Sequence, residues 1–119
     1  MSDLKIESTT GINDGTRILR LSGPFTLNGL FDFQAIVRPL TDPVLIIDLT
    51  DVPYMDSASV GAVMSVHTST QRHNRKYALV GVCDRIQSMF DIIGLEGVLV
   101  TYPTLAEAQE KLRRAAPAN

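Results

Sequence analysis

The sequence has a single cysteine, no excess of positive charge and no long apolar run. One cysteine excludes an intrachain disulfide and a metal site built from cysteines. We interpret Cys83 as a small buried residue at the end of a strand. The net charge of -2 and the pI near 5.6 do not favour a nucleic acid partner, which a basic surface would indicate.

From its sequence we also expect no segment that directs the protein to a membrane. No apolar run reaches the roughly 18 to 20 residues that a membrane span requires, and the N-terminal sequence MSDLKIEST does not resemble a signal peptide. We therefore expect a cytoplasmic protein without a membrane span. The 119 residues, 45% hydrophobic and 20% charged, are typical of one globular domain over residues 1–119, with residues 115–119 as a flexible tail.

The N-terminal part of the chain predicts an antiparallel hairpin followed by a helix. Polar and apolar residues alternate over residues 4–8, and an apolar segment at residues 18–21 follows the turn signal Asn13-Asp14-Gly15. Apolar residues at spacings of three and four then predict a helix that Asn28 caps and that ends near Pro39.

Three units of strand and helix follow. The predicted strands are Val44–Ile47, Tyr77–Val82 and Val98–Thr101. The predicted helices are Asp56–Arg72, a helix that Asp84 caps and Gly94 ends, and Thr104–Leu112, which a capping box opens. This order predicts an α/β fold, in which one mixed β-sheet contains an N-terminal antiparallel hairpin plus parallel strands and carries about four helices.

The helix between Asp56 and Arg72 has no charged side chain in its interior, which is unusual for a helix with one face in water. One stripe suits the sheet and contains Val60, Val63, Met64 and His67. A second stripe has only small residues, namely Ala58, Ala62, Ser65 and Ser69. The second stripe is suited to a neighbouring helix of the same domain, which we favour, or to a partner protein.

Ser57 lies at the predicted start of this helix, and two roles fit it. In the first, Asp56 or Ser57 caps the helix by accepting hydrogen bonds from free backbone N–H groups. In the second, Ser57 is phosphorylated at a position where the helix dipole favours negative charge and Asp56 opposes it. The spacing of the residues leaves both roles open.

Catalytic interpretations of the same region are weaker. Asp48, Asp51 and Asp56 follow a strand, as metal ligands or an aspartyl phosphate site would, but carboxylates in such loops are more often caps and turn residues. We interpret His67 as a packed helix residue and His73 as a solvated one, since neither has an evident approach to Ser57. We expect no enzymatic activity, no metal and no cofactor.

Several segments together resemble the STAS domain family, and within it the bacterial anti-sigma factor antagonists. The central segment is Val44–Leu49 followed by Val52, Tyr54-Met55-Asp56-Ser57 and Gly61, similar to the family's apolar strand, phosphorylation motif and following helix. The resemblance extends over nearly the whole chain through Tyr77–Val82, Phe90, Gly94-Leu95 and Glu107-Ala108.

The resemblance implies a partner switch. An unphosphorylated antagonist binds an anti-sigma factor with serine kinase activity, and phosphorylation of the motif serine releases it; a phosphatase is a further implied partner. Ser57 corresponds to the phosphoacceptor, with Ser59 as the alternative. The implied partner-binding residues are Thr26, Asp56, Ser57, Ala58, Ser59 and Ala62.

Two positions depart from the family pattern. Ala58-Ser59 follows the acceptor where Ser-Gly is usual, and Thr26 stands where an acidic residue is common. An alternative function therefore stays open, in which the chain is a STAS binding module of a signalling scaffold or a transporter-associated complex without a sigma-factor role. The oligomeric state is left open between a monomer and a weak dimer.

Overall fold

The structure, a computed structural model, describes residues 3–115 and the side chains of residues 3–113. Over this range five strands and four helices follow one another. The strands are β1 (Lys5–Thr10), β2 (Thr16–Ser22), β3 (Val44–Asp51), β4 (Lys76–Val80) and β5 (Thr101–Tyr102). The helices are α1 (Leu27–Val37), α2 (Ser57–Arg72), α3 (Asp84–Ile92) and α4 (Leu105–Ala115). Within the same range, each helix is too short or too polar to cross a bilayer.

The strands form one sheet in the order in which they occur along the chain. β1 and β2 are antiparallel, and every later pair is parallel. Gly15, in the turn between the first two strands, has a φ of 80°, a conformation that glycine adopts at little cost. The predicted mixed sheet with an N-terminal hairpin is confirmed.

Successive side chains of the central strands point to opposite faces of the sheet, so the core has two parts, one on each face. One face, which includes Leu45 and Ile47 of β3, is covered by α1, α2 and α3. The other face, which includes Val44 and Ile46, is covered by α4 through Ala108 and Leu112. β3 is thus apolar on both sides, as the continuous apolar run predicted.

α2 packs on the sheet with one stripe and faces α1 with part of the other. Val60 and Val63 are buried in the core, and Ala62 is only 6% exposed. Ala62 and Ser65 share a cavity wall with Phe33 of α1. A neighbouring helix of the same domain therefore occupies part of the small-residue stripe, as we favoured.

Two predicted helix caps are wrong. α1 begins at Leu27 after Thr26, so Asn28 lies inside the helix, and the capping oxygen comes from another loop. The N-cap of α3 is Cys83, and Asp84 is the first helical residue, where its negative charge suits the helix dipole. Gly94 follows α3 with a φ of 83°, as predicted for a helix end.

Three predicted elements in the C-terminal part have different bounds from those in the structure. In place of the strand predicted at residues 98–101, β5 covers only Thr101–Tyr102. The N–H group of Val100 donates to the Tyr77 hydroxyl rather than to a backbone carbonyl of β4, although the carbonyl of Val100 accepts from Leu79 of β4. β4 stops at Val80, since Gly81 takes a φ of 69°. α4 continues past Leu112 to Ala115. Of the predicted tail at residues 115–119, positions 116–119 lie outside the described residues.

Candidate functional site

The loop from β3 to α2 lies against the loop from β2 to α1. The N–H group of Phe25 donates to the carbonyl of Tyr54 at 3.1 Å, and the N–H group of Asp56 donates to the carbonyl of Phe25 at 3.3 Å. Phe25 itself is buried and pairs with Met55 in an isolated parallel bridge. These contacts bring the N-terminal ends of α1 and α2 together.

Asp56 joins the two helix starts through its two carboxylate oxygens. Oδ1 accepts a hydrogen bond from the N–H group of Ser59 at 3.0 Å, which caps α2. Oδ2 accepts one from the N–H group of Leu27 at 2.9 Å, at the first residue of α1. Thr26, the N-cap of α1, makes no side-chain capping bond of its own. One carboxylate thus satisfies free backbone donors at both helices.

The same hydrogen bonds set the charge of Asp56. Burial alone would raise the pKa of this carboxyl group, but hydrogen bonds from the backbone of Ser59 and of Leu27 favour the ionised form and lower the pKa below its usual value. Asp56 is therefore a carboxylate at neutral pH. It places a fixed negative charge directly before Ser57.

The side chain of Ser59 has a structural role at the start of α2. Its side chain is 0% exposed, and its hydroxyl donates to the carbonyl of Phe25 at 2.6 Å. The same oxygen accepts from the N–H group of Asp56 at 3.0 Å, which completes a capping box. The role of capping partner, which the sequence had left open between Asp56 and Ser57, belongs to Asp56 and Ser59.

Ser57 has a different environment. It is the first residue of α2, it is exposed, and its hydroxyl has no hydrogen-bond partner within residues 3–113. The N–H groups of Ser57 and Ala58 point out of the helix start, where the first donors of a helix lack internal acceptors. An exposed hydroxyl therefore lies beside two free N–H groups and the positive end of a helix dipole.

Two apolar side chains in the first two turns of α1 are exposed, and the first of them, Leu27, bonds to Asp56 through its backbone N–H group. Leu27 is 58% exposed and Phe31 is 76% exposed. They are four residues apart and so lie on one face of the helix. The helix-start surface is defined here as Thr26, Leu27, Phe31, Asp56, Ser57 and Ala58. Leu27 and Phe31 were not among the predicted site residues; the signal that could have identified them is their position outside the apolar stripe of α1.

The remaining candidate residues are placed elsewhere. Ala62 is buried beside α1, away from the helix-start surface. Asp48 is buried and accepts from the hydroxyl of Thr50 at 2.6 Å, and Asp51 pairs with Arg20 at 2.9 Å. Within the described residues, no group of three His, Cys, Asp or Glu side chains is arranged to hold a metal ion.

Neither histidine approaches Ser57 in the structure. The Nδ1 atom of His67 lies 2.8 Å from the hydroxyl oxygen of Tyr77 in the interior. His73 is exposed after the end of α2, where its Nδ1 atom lies 2.9 Å from the carbonyl oxygen of Ser69. These positions agree with a packed His67 and a solvated His73.

The geometry defines a small α/β domain with an exposed serine at the start of its central helix. The sequence model of the STAS domain matches residues 7–108, and the chain belongs to that family. An anti-sigma-B factor antagonist of Listeria monocytogenes is 38% identical over 56 residues, which are 47% of this chain and about half, 49%, of that protein. That of Staphylococcus aureus is 24% identical over 100 residues, 82% of this chain and 91% of that protein.

Solved structures share the fold over nearly the full chain. The Thermotoga maritima protein TM1081 aligns with a TM-score of 0.84 at 21% identity, covering 92% of this chain and 95% of that one. The anti-sigma factor antagonist SpoIIAA in its unphosphorylated form aligns with a TM-score of 0.77 at 17% identity, covering 95% and 100%. The phosphorylated form of SpoIIAA, from Bacillus, gives 0.72 at 18% identity and covers 92% and 100%.

Proposed function

We propose that this chain is an anti-sigma factor antagonist. It binds an anti-sigma factor with serine kinase activity while Ser57 is unphosphorylated, and phosphorylation of Ser57 releases it. The observation that carries the proposal is the exposed hydroxyl of Ser57 at the start of α2, which has no hydrogen-bond partner in the part of the chain that the structure describes. The names of the Listeria and Staphylococcus relatives support it, as does the existence of a phosphorylated form of SpoIIAA.

The structure favours Ser57 over Ser59 as the acceptor. A kinase must reach the hydroxyl, and Ser59 is fully buried with its hydroxyl donating to a backbone carbonyl. Phosphorylation of Ser59 would require the helix start to open. A phosphate on Ser57 would remain in solvent, where free N–H groups and the helix dipole favour an anion.

Release follows from the charge that the phosphate adds. A phosphoserine carries about -1.5 to -2 charges, next to the carboxylate of Asp56 and the apolar side chains of Leu27 and Phe31. In a complex that covers this surface, the added charge would lose water and repel Asp56. Since about 1.4 kcal/mol changes an affinity tenfold, a modest penalty is enough to release the partner. A phosphatase that removes the phosphate would restore binding.

The acceptor is tested by incubating the full chain with ATP and the kinase that serves as its anti-sigma factor. We expect one added phosphate in the intact mass, mapped to the peptide that contains Ser57, and none in Ser57→Ala. Ser65→Ala is the matched control, because Ser65 is another exposed serine of α2 and its loss should leave phosphorylation unchanged. Phosphate on Ser57→Ala at the wild-type level would refute the assignment.

The docking role is tested by calorimetry with the same anti-sigma factor. Ser57→Asp should weaken binding at least tenfold, Ser57→Ala should retain it, and Phe31→Ala should weaken it. Ile92→Ala is the control for Phe31→Ala, because Ile92 is 84% exposed but lies on α3. Equal effects of the Phe31 and Ile92 substitutions would remove α1 from the interface. Tight binding of Ser57→Asp would argue for a binding module without a charge switch.

A further inference from the structure

A cavity of about 180 Å³ lies between α1 and the middle and C-terminal part of α2. It is well separated from Ser57, since its wall on α2 runs from Ala62 to Thr70. Part of the wall is apolar and comes from Phe33, Leu45 and Val66. The cavity exists because small side chains on α2 face α1 and leave the space between the two helices unfilled.

The charged residues in the wall of the cavity are positive. Two arginines, Arg38 and Arg75, line the cavity, and no carboxylate of the described residues does. A guanidinium group is always charged in proteins and is the usual partner of carboxylates. The nearest acidic residue in the neighbouring loop, Asp42, pairs its carboxylate with Arg17 at 3.5 Å instead.

Arg75 is incompletely satisfied. Its Nε atom donates to the carbonyl of Asp42 at 2.7 Å, which holds the guanidinium group at the cavity. Its Nη2 atom is out of contact with solvent and has no hydrogen-bond partner among the described residues. An atom with almost no accessible surface cannot meet a ligand oxygen, so a ligand in the cavity would have to bond to the other terminal nitrogen of Arg75, Nη1.

The size and composition of the cavity narrow the ligand class. An engineered cavity of about 150 Å³ in another protein holds benzene, so this cavity has room for one aromatic ring or a branched alkyl group. Such a group would contact the apolar wall, and an attached carboxylate would accept hydrogen bonds from Arg75. Inorganic phosphate would leave the apolar wall uncovered.

We propose that the cavity binds a small organic monocarboxylate with a compact apolar body of about the size of benzoate. The carboxylate pairs with Arg75 and the apolar body lies against Phe33, Leu45 and Val66. This site is separate from Ser57, and its occupancy does not depend on whether the chain binds an anti-sigma factor.

Isothermal titration of the full chain with sodium benzoate tests the proposal. We expect saturable binding with a stoichiometry of one. Benzamide has the same shape without the charge, and inorganic phosphate has charge without the ring, so each should bind at least tenfold more weakly. Absence of saturable benzoate binding at millimolar concentrations, or equal binding of benzamide, would overturn the proposal.

Variants locate the binding to this cavity. Arg75→Gln should lower benzoate affinity at least tenfold, whereas Arg72→Gln, which removes an exposed arginine outside the cavity, should not. Ser69→Leu places a larger side chain in the cavity and should abolish binding with the fold retained, which keeps the test decisive if Arg75→Gln does not fold. Unchanged affinity in Ser69→Leu would show that benzoate binds elsewhere.

Discussion

The N-terminal end of α2 is tied to α1 by hydrogen bonds, whereas its C-terminal half is separated from α1 by a cavity. At the first end, Asp56 bonds to Leu27 and Ser59, and Ser59 bonds to Phe25. At the other end, Arg75 retains a buried donor that has no hydrogen-bond partner among residues 3–113. The contrast suggests separate tasks: the tied end can present a hydroxyl at a fixed position, and the loosely filled half can accept a small molecule.

The largest expected effect at the tied end comes from Asp56→Ala. This change removes the capping acceptor of two helices, and each cap is worth about 1 kcal/mol, so we expect a loss of about 2 kcal/mol in the free energy of unfolding. Urea unfolding followed by circular dichroism measures it. Asp56→Asn retains one acceptor oxygen and should lose less. A loss below about 0.5 kcal/mol in Asp56→Ala would show that water replaces both bonds.

The two serines of the helix start should differ in their effect on stability. Ser59→Ala leaves the buried carbonyl of Phe25 and the N–H group of Asp56 without a side-chain partner, so we expect a loss of about 1 to 2 kcal/mol. Ser57→Ala changes an exposed side chain that bonds to none of the described residues, so the free energy of unfolding should stay within about 0.5 kcal/mol of wild type. Equal losses in urea unfolding would contradict the assignment of Ser59 as the structural serine.

The starts of α2 and α1 differ in how well the sequence predicts them. The apolar periodicity and the local signals at Asp56 and Arg72 predict α2 and its bounds within one residue, because those signals lie within the helix itself. The cap of α1 was assigned to Asn28 on the same local reasoning. The true acceptor, Asp56, lies 29 positions from Leu27, and only the packing of two loops brings it there.

The distinction between Ser57 and Ser59 is likewise non-local. Both are serines in the first turn of one helix, and the sequence allows phosphorylation of either. The atom that decides is the carbonyl oxygen of Phe25, 34 positions away, which accepts from Ser59. The cavity had only an indirect signal, the small uncharged stripe of α2, because its volume depends on how closely α1 approaches.

Acid should lower the stability of the protein by protonating Asp56 at the N-terminal end of α2. Hydrogen bonds lower its pKa in the folded state, so the unfolded chain binds more protons as the pH falls below the ordinary aspartate value of about 4. The stabilisation is complete above that value and is lost as the pH falls through the folded pKa. Urea unfolding between about pH 6 and pH 3 should show a smaller loss in Asp56→Asn than in wild type. Parallel curves would show that Asp56 does not contribute.

The smallest expected effect concerns the loosely filled half of α2. Ser69→Leu fills open space and improves helix propensity, so stability should change by no more than about 0.5 kcal/mol. Positions 56 and 69 are about 20 Å apart along the helix, so the changes in Asp56→Ala and Ser69→Leu should add within about 0.5 kcal/mol in the double variant. A larger coupling energy in urea unfolding would mean that α1 transmits changes between the two ends, and a ligand in the cavity would then influence the surface around Ser57.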